Sequence, residues 1–97
     1  MEVIIKKSKK KDKKFDAIVD GKKTISFGSA GMSDMTLHKD PERKHRYINR
    51  HKKNEDWSNP KTAGFYAKNV LWNKTRLQAS VADINKKFSK LKVKLKL

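Results

Sequence analysis

Cysteine is absent from this 97-residue chain. That excludes disulfide staples, zinc knuckles and thiol catalysis, and fits a reducing compartment. Large apolar side chains are scarce: Leu, Ile, Val and Phe together number 21 of 97, just above the range in which a highly charged chain stays disordered. The expected core is therefore thin. Acids are few as well, with 10 Asp and Glu against 26 Lys and Arg, for a formal charge of +16. No apolar run approaches the roughly 18 residues of a membrane span. The opening Met1-Glu2-Val3-Ile4-Ile5-Lys6 lacks a signal peptide's apolar stretch and cleavage site. Neither membrane insertion nor secretion is expected, and what is left is one small basic domain that acts by binding.

The charge is distributed in blocks. Residues 1–14 carry +5, 15–38 carry −1, 39–53 return to +5, 54–85 sum to +1, and 86–97 hold six Lys and no acid. Three basic segments bracket two nearly neutral ones, so a polyanionic partner gains from all three at once.

The pattern of elements predicts an α+β fold: a small hairpin-based sheet, two to three short helices, and extended basic N- and C-terminal arms. Val3-Ile4-Ile5 is a β-branched run, but the lysine-rich stretch to Lys14 buries nothing, and residues 1–14 read as an N-terminal arm. Residues 15–88 form the compact domain. In it, Phe15–Val19 and Thr24–Phe27 flank an Asp20-Gly21 turn signal and predict a hairpin. Gly28 to Gly31 is a flexible corner, and Met35–His38 reads as a third strand. Asp40-Pro41-Glu42 opens a helix over 41–53, with Asp as cap, Pro at the first helical position and Glu in the first turn. Only Tyr47 and Ile48 are apolar there, so one narrow stripe packs and the rest is cationic. A loop at Trp57 to Pro60 precedes a short helix over 64–72. Thr75 and Gln78 have capping-box spacing, and Leu77, Val81, Ile84 and Phe88 predict an amphipathic helix over 76–88. In 89–97, Leu91, Val93, Leu95 and Leu97 alternate with Lys90, Lys92, Lys94 and Lys96, the period of a strand.

Catalytic chemistry finds little support. His45, Asn49 and His51 suggest a small nuclease, yet six residues of helix turn about 600°, so the two histidines face different sides and do not chelate one ion. Asp34, Asp40, Glu42, Glu55 and Asp56 are too scattered for a two-carboxylate site. Asp40 serves better as a cap, and Glu55 and Asp56 as ion-pair partners of neighbouring cations. Gly28-Ser29-Ala30-Gly31 lacks the Lys-Ser/Thr ending of a phosphate loop. No metal, cofactor or small-molecule substrate is expected. Trp57, Phe65, Tyr66 and Trp72 suit base stacking, but a chain this poor in aliphatics needs them for its core.

Binding has two candidate surfaces. The first is cationic: Lys9, Lys10 and Lys11 in the arm, Arg43, Lys44, Arg46, Arg50, Lys52 and Lys53 on or just after the helix, and Lys90, Lys92, Lys94 and Lys96 in the tail. Each cation that meets a phosphate adds a salt-sensitive, sequence-independent term. The helix offers only Asn49 as a short polar group, so base reading is not expected of it. The second is the strand Leu91, Val93, Leu95 and Leu97. It either pairs with Val3-Ile4-Ile5 in the same chain or clamps another molecule by strand addition.

The segments Ile25-Ser26-Phe27-Gly28, Thr36-Leu37-His38-Lys39-Asp40, Arg46-Tyr47-Ile48-Asn49-Arg50-His51-Lys52-Lys53-Asn54-Glu55-Asp56-Trp57, Lys61-Thr62-Ala63-Gly64-Phe65 and Leu71-Trp72-Asn73-Lys74 carry a resemblance. Over roughly residues 14–88 the chain resembles a family of small basic proteins encoded by large double-stranded DNA viruses of algae and protists. The resemblance implies a virion setting, where small basic proteins with extended termini cement the inner face of an icosahedral shell, after host cytoplasmic or nuclear assembly. It carries no enzymatic activity, and the tails fall outside it.

Two functions follow as expectations. One is a minor capsid protein that joins neighbouring capsid proteins through basic arms and strand addition, adding weak contacts by multivalency. The other is a non-specific binder of double-stranded DNA that condenses the genome.

Overall fold

The computed structural model describes residues 1–31, 34–53 and 57–97, with the backbone alone at His38. A four-stranded mixed sheet has the order β3-β2-β1-β4, formed by β1 (Glu2–Lys7), β2 (Lys13–Val19), β3 (Lys23–Ser29) and β4 (Lys92–Leu95). β1 and β2 are antiparallel, as are β2 and β3, and β4 runs parallel to β1. The predicted hairpin is present. Its turn has Asp20 at φ 51 and Gly21 at φ 68, the pair of left-handed residues that a two-residue connection needs to match strand twist, and Lys22 N–H closes it onto Val19 O at 3.0 Å.

The expected basic arms are not extended. Residues 1–14 supply β1, the strand between β2 and β4, together with the start of β2. Alternation explains how so charged a segment enters a sheet. Val3 and Ile5 point into the core, while Lys6 lies on the opposite face beside Asp16. The tail likewise folds back: Val93 pairs with Val3 and Leu95 with Ile5. The N-terminal ammonium donates to Lys90 O at 2.9 Å. Of the two options open for this strand, pairing within the chain is the one the structure adopts. The Cα radius of gyration, 12.4 Å, matches the roughly 12.5 Å of a compact chain of this length.

Between β3 and β4 the chain forms α1 (Met35–His38), α2 (Pro41–His51), α3 (Ala63–Tyr66), a π-helical turn (Ala67–Leu71) and α4 (Leu77–Lys87). The expected third strand at Met35–His38 is instead one helical turn. Asp34 caps it by accepting from Thr36 N–H, and Lys39 at φ 56 ends it. Four residues are too few for alternation of Met35 and Leu37 to outweigh a cap at each end. α2 is opened by Asp40, whose carboxylate accepts from Glu42 N–H, with Pro41 next, as expected. The capping box predicted at Thr75 does not form, because Arg76 holds the N-cap position and its side chain makes no capping bond. The π-helical turn has a local cause. The Asn69 amide donates to Phe65 O at 2.9 Å, taking the acceptor an α-helical N–H would use.

One sheet face meets the helices. Val3, Ile5, Ala17, Val19, Ile25, Phe27 and Val93 pack with Phe65, Tyr66, Val70, Leu71, Val81 and Ile84. Aromatics fill what aliphatics do not, with Phe27 5.6 Å from Tyr66 and Phe65 5.1 Å from Phe88 between ring centroids. Among the described residues no helix is long and apolar enough to cross a membrane.

Candidate functional site

The cations expected to bind a partner are built on three supports. Lys9, Lys10 and Lys11 sit exposed in the turn joining β1 to β2. That turn is held from beneath by Asp16, a buried carboxylate whose Oδ1 accepts from Ser8 Oγ and Ser26 Oγ, each at 2.7 Å. Burial alone would raise the Asp16 pKa. Hydrogen bonds from Ser26, Ser8 and the backbone of Lys9, with the charge of Lys10, outweigh it and hold the carboxyl below its usual range.

α2 carries the second set. Tyr47 is buried and Lys44, Ile48 and His51 are half-buried, a stripe at i, i+3, i+4 and i+7 that faces the body. Tyr47 stacks on Trp72 at 4.4 Å and 4° between planes, with the His51 ring 4.4 Å away on tilted approach. Arg43, Arg46 and Arg50 share an exposed face. Arg46 meets Glu42 at 3.7 Å, but both are exposed and the pair ties up little charge. Lys52 and Lys53 continue past the helix end, also exposed.

The strands bring these sets together. Lys13 lies opposite Ser29, Lys7 opposite Phe15, and Leu95 opposite Ile5, while Lys96 N–H donates to Ile5 O at 2.8 Å. The β1–β2 turn, the start of β2, the end of β3 and the end of β4 therefore lie at one end of the sheet. Arg50 and His51 join that end across a cavity of about 320 Å³, whose walls include Lys14, Gly28, Ser29, Tyr47 and Trp72. Residues from all three basic segments thus form one rim. Lys90 and Lys92 do not belong to it, since they flank Met1 at the opposite end. Lys94 is exposed beside Ile4 on the outer sheet face.

The strand residues fare differently. Leu91 and Val93 are buried in the chain's own core, Leu95 is half-buried against it, and only Leu97 is largely exposed, at 63%. Leu91 and Val93 thus have no surface left for a partner's pockets, which corrects the expectation of a free clamp.

A second cationic group was not legible in the sequence. Lys44, Lys68, Lys74 and Lys87 come from α2, the π-helical turn, the following corner and α4, and act on one another electrostatically around Asp83. Lys44 and Lys87 lie in segments read as basic but Lys68 and Lys74 do not, and the four gather because the helices fold across each other. His45 is exposed, and no group of three or more His, Cys, Asp or Glu among the described residues is placed to hold a metal ion. The pairing expected for Glu55 and Asp56 lies outside the described residues.

A family described as of unknown function, DUF5754, matches residues 3–51, from β1 to the end of α2, and the chain belongs to it. No curated protein and no solved structure matches the chain.

Proposed function

We propose that this protein is a non-enzymatic binder of the nucleic-acid phosphate backbone, acting without sequence preference on double-stranded DNA. The observation that carries this reading is that one rim of a compact body gathers cations from each of the three basic segments: Lys9, Lys10 and Lys11, then Arg50, then Lys96. A folded rim presents its cations together and at no cost in ordering a tail, and each phosphate neutralised releases counterions. The exposed face of α2 offers Arg43, Arg46 and Arg50, long cations suited to phosphates rather than to base edges. In the viral setting that the sequence resemblance implies, the role is genome condensation inside the virion.

The test is a titration of the full chain against duplex DNA at several salt concentrations. The reading expects tight binding whose log affinity falls steeply with log salt. Affinity that stays flat with salt, or no binding at low salt, overturns it.

A second reading, a minor capsid component that cements neighbouring capsid proteins, draws on the outer edge of β3. No described strand pairs with that seven-residue edge, and such an edge accepts an added strand. Recovery of the protein in shells emptied of genome, with a β3 edge protected from hydrogen exchange only in the shell, supports it.

A further inference from the structure

We propose that Lys44, Lys68, Lys74 and Lys87 form a phosphate-binding cluster at the Asn73 corner, an anchor for one phosphate of the nucleic-acid backbone; the identity of that ligand rests on the reading above. The cluster is distinct from the rim and is assembled by tertiary structure. Asn73 follows the π-helical turn and organises it. Its carbonyl accepts from Lys44 Nζ at 2.9 Å, and its amide donates to Asp83 Oδ2 at 2.8 Å. Lys87 Nζ lies 3.1 Å from the same Asp83 oxygen. Lys74 is held at the base of α4 by its backbone N–H, which donates to the buried Ser80 hydroxyl at 3.0 Å. Lys68 places its ammonium 5.4 Å from the centre of the Trp57 ring.

Asp83 pairs directly with Lys87 and is the carboxylate whose charge opposes the mutual repulsion of Lys44 and Lys68, with Lys74 acting on it from a distance. Asp83 compensates one charge and is itself held below the usual carboxylate range, first by the Asn73 amide and then, against burial, by Lys87 and Lys74. Lys44 and Lys68 show the unrelieved remainder. Burial lowers both, and their neighbours lower them further: Lys74 and Lys87 act on Lys44, Lys87 and Lys44 on Lys68, with Asp83 opposing in each case. Repulsion among these cations, with Lys44 and Lys68 half-buried and Lys74 and Lys87 exposed, is relieved by a multivalent anion that accepts from several of them. A phosphate is suited to this, because lysine ammonium groups approach it as rotatable point charges and need no planar alignment. Lys44 and Lys68 are half-buried, so less of the gain is screened than at a fully exposed lysine.

The experiment has two arms on the full chain. In the first, lysine side-chain NMR signals are followed while inorganic tripolyphosphate is added. The cluster predicts saturable shifts centred on Lys44, Lys68, Lys74 and Lys87, with weaker ones at Lys9, Lys10 and Lys11. Shifts of equal size at all lysines overturn it, and this arm needs no substitution. In the second, duplex DNA affinity is compared for K68Q/K74Q/K87Q and K9Q/K10Q/K11Q, two variants that each lose three charges. A loss at least tenfold larger in the first, restored by K68R/K74R/K87R, supports the cluster as an anchor. Equal losses overturn it and leave the backbone-binding reading standing. If the unsubstituted chain does not bind DNA, that reading falls, and the tripolyphosphate arm alone decides whether the cluster holds phosphate.

Discussion

The side-chain amide of Asn85 in α4 binds both backbone groups of Val93 in β4: Nδ2 donates to Val93 O at 3.0 Å, and Oδ1 accepts from Val93 N–H at 2.8 Å. β4 is an edge strand whose inner side pairs with β1, so Asn85 covers the middle of its outer side as an added strand would. This contact argues against partner capture by β4 and leaves the edge of β3 as the one with no strand beside it among the described residues.

Asn85→Ala is therefore expected to lower stability by about 1–2 kcal/mol, the scale of two lost hydrogen bonds at a partly buried backbone. It should also uncover the β4 edge. Urea unfolding measures the first effect, and sedimentation at increasing protein concentration measures the second. A variant of unchanged midpoint that stays monomeric removes the edge-covering role.

Tyr66 is wholly buried and its hydroxyl has no hydrogen-bond partner among the described residues. Burial, helped by the charge of Asp20, pushes its pKa from 10.0 up to about 12. Between those values the unfolded chain ionises this phenol while the folded chain keeps its proton, so stability falls as pH rises through that window. Lys44 and Lys68 act in the opposite sense. Their folded pKa values lie below 10.5, so they add stability as pH climbs towards that value. Tyr66→Phe is expected to be neutral or stabilising near pH 7, since it removes a polar group that pays desolvation without a bond. It is also expected to lose part of the alkaline decline, which urea midpoints for both proteins from about pH 8 to 12 will show. An identical decline in the two proteins would exclude Tyr66 as its source.

Much of the architecture was legible because it is written in local pattern. The Asp20-Gly21 turn, the Asp40-Pro41 start of α2, the spacing of Val81 and Ile84, and the alternation from Leu91 all appear as elements. The terminal segments hide their strands for a physical reason. Lysine density argues against burial, yet a strand needs only every second side chain inside, and Val3 with Ile5 suffices for β1. Met35–His38 looks like a strand in sequence because the deciding residues, Asp34 and Lys39, lie outside the apparent alternation. Of the candidate site, the exposed cations could be named in advance, but which of them share one rim, as Lys9 to Lys11 and Lys96 do and Lys90, Lys92 and Lys94 do not, depends on strand order. The Asn73 corner joins Lys44 to Lys87 across 43 positions, and no local signal marks it.

Gly28 lies near the end of β3 at φ +76, and a Cβ placed there would sit 2.6 Å from Leu71 Cδ1 and 3.3 Å from Lys14 Cβ. Both the backbone angle and the space exclude a side chain, because Leu71 is itself packed in the core. Gly28→Ala is expected to cost about 2–3 kcal/mol, combining left-handed strain with overpacking. Thermal unfolding checks this, and a loss below about 0.5 kcal/mol would mean that β3 relaxes freely at its end.

Asp16 connects stability to the binding rim. Its pKa lies below 3.8 because Ser26, Ser8, Lys9 N–H and the Lys10 charge overcome its burial. A carboxylate depressed in the folded state contributes stability that is present above the unfolded value and is lost as pH falls through the folded one. The unsubstituted protein should therefore lose stability on acidification below about pH 4, with Asp83 contributing in the same direction. Asp16→Asn removes the Asp16 share, so its acid limb is shallower and its stability at pH 7 is lower by about 1–3 kcal/mol. The exchange also turns one acceptor into a donor beneath the turn that carries Lys9, Lys10 and Lys11, where Ser8 Oγ both donates to Asp16 and accepts from Lys10 N–H at 3.1 Å. Amide exchange across 8–12 is expected to accelerate in the variant, and duplex DNA affinity to fall although every cation is retained. Unchanged exchange and unchanged affinity would mean that the rim does not depend on Asp16 for its order.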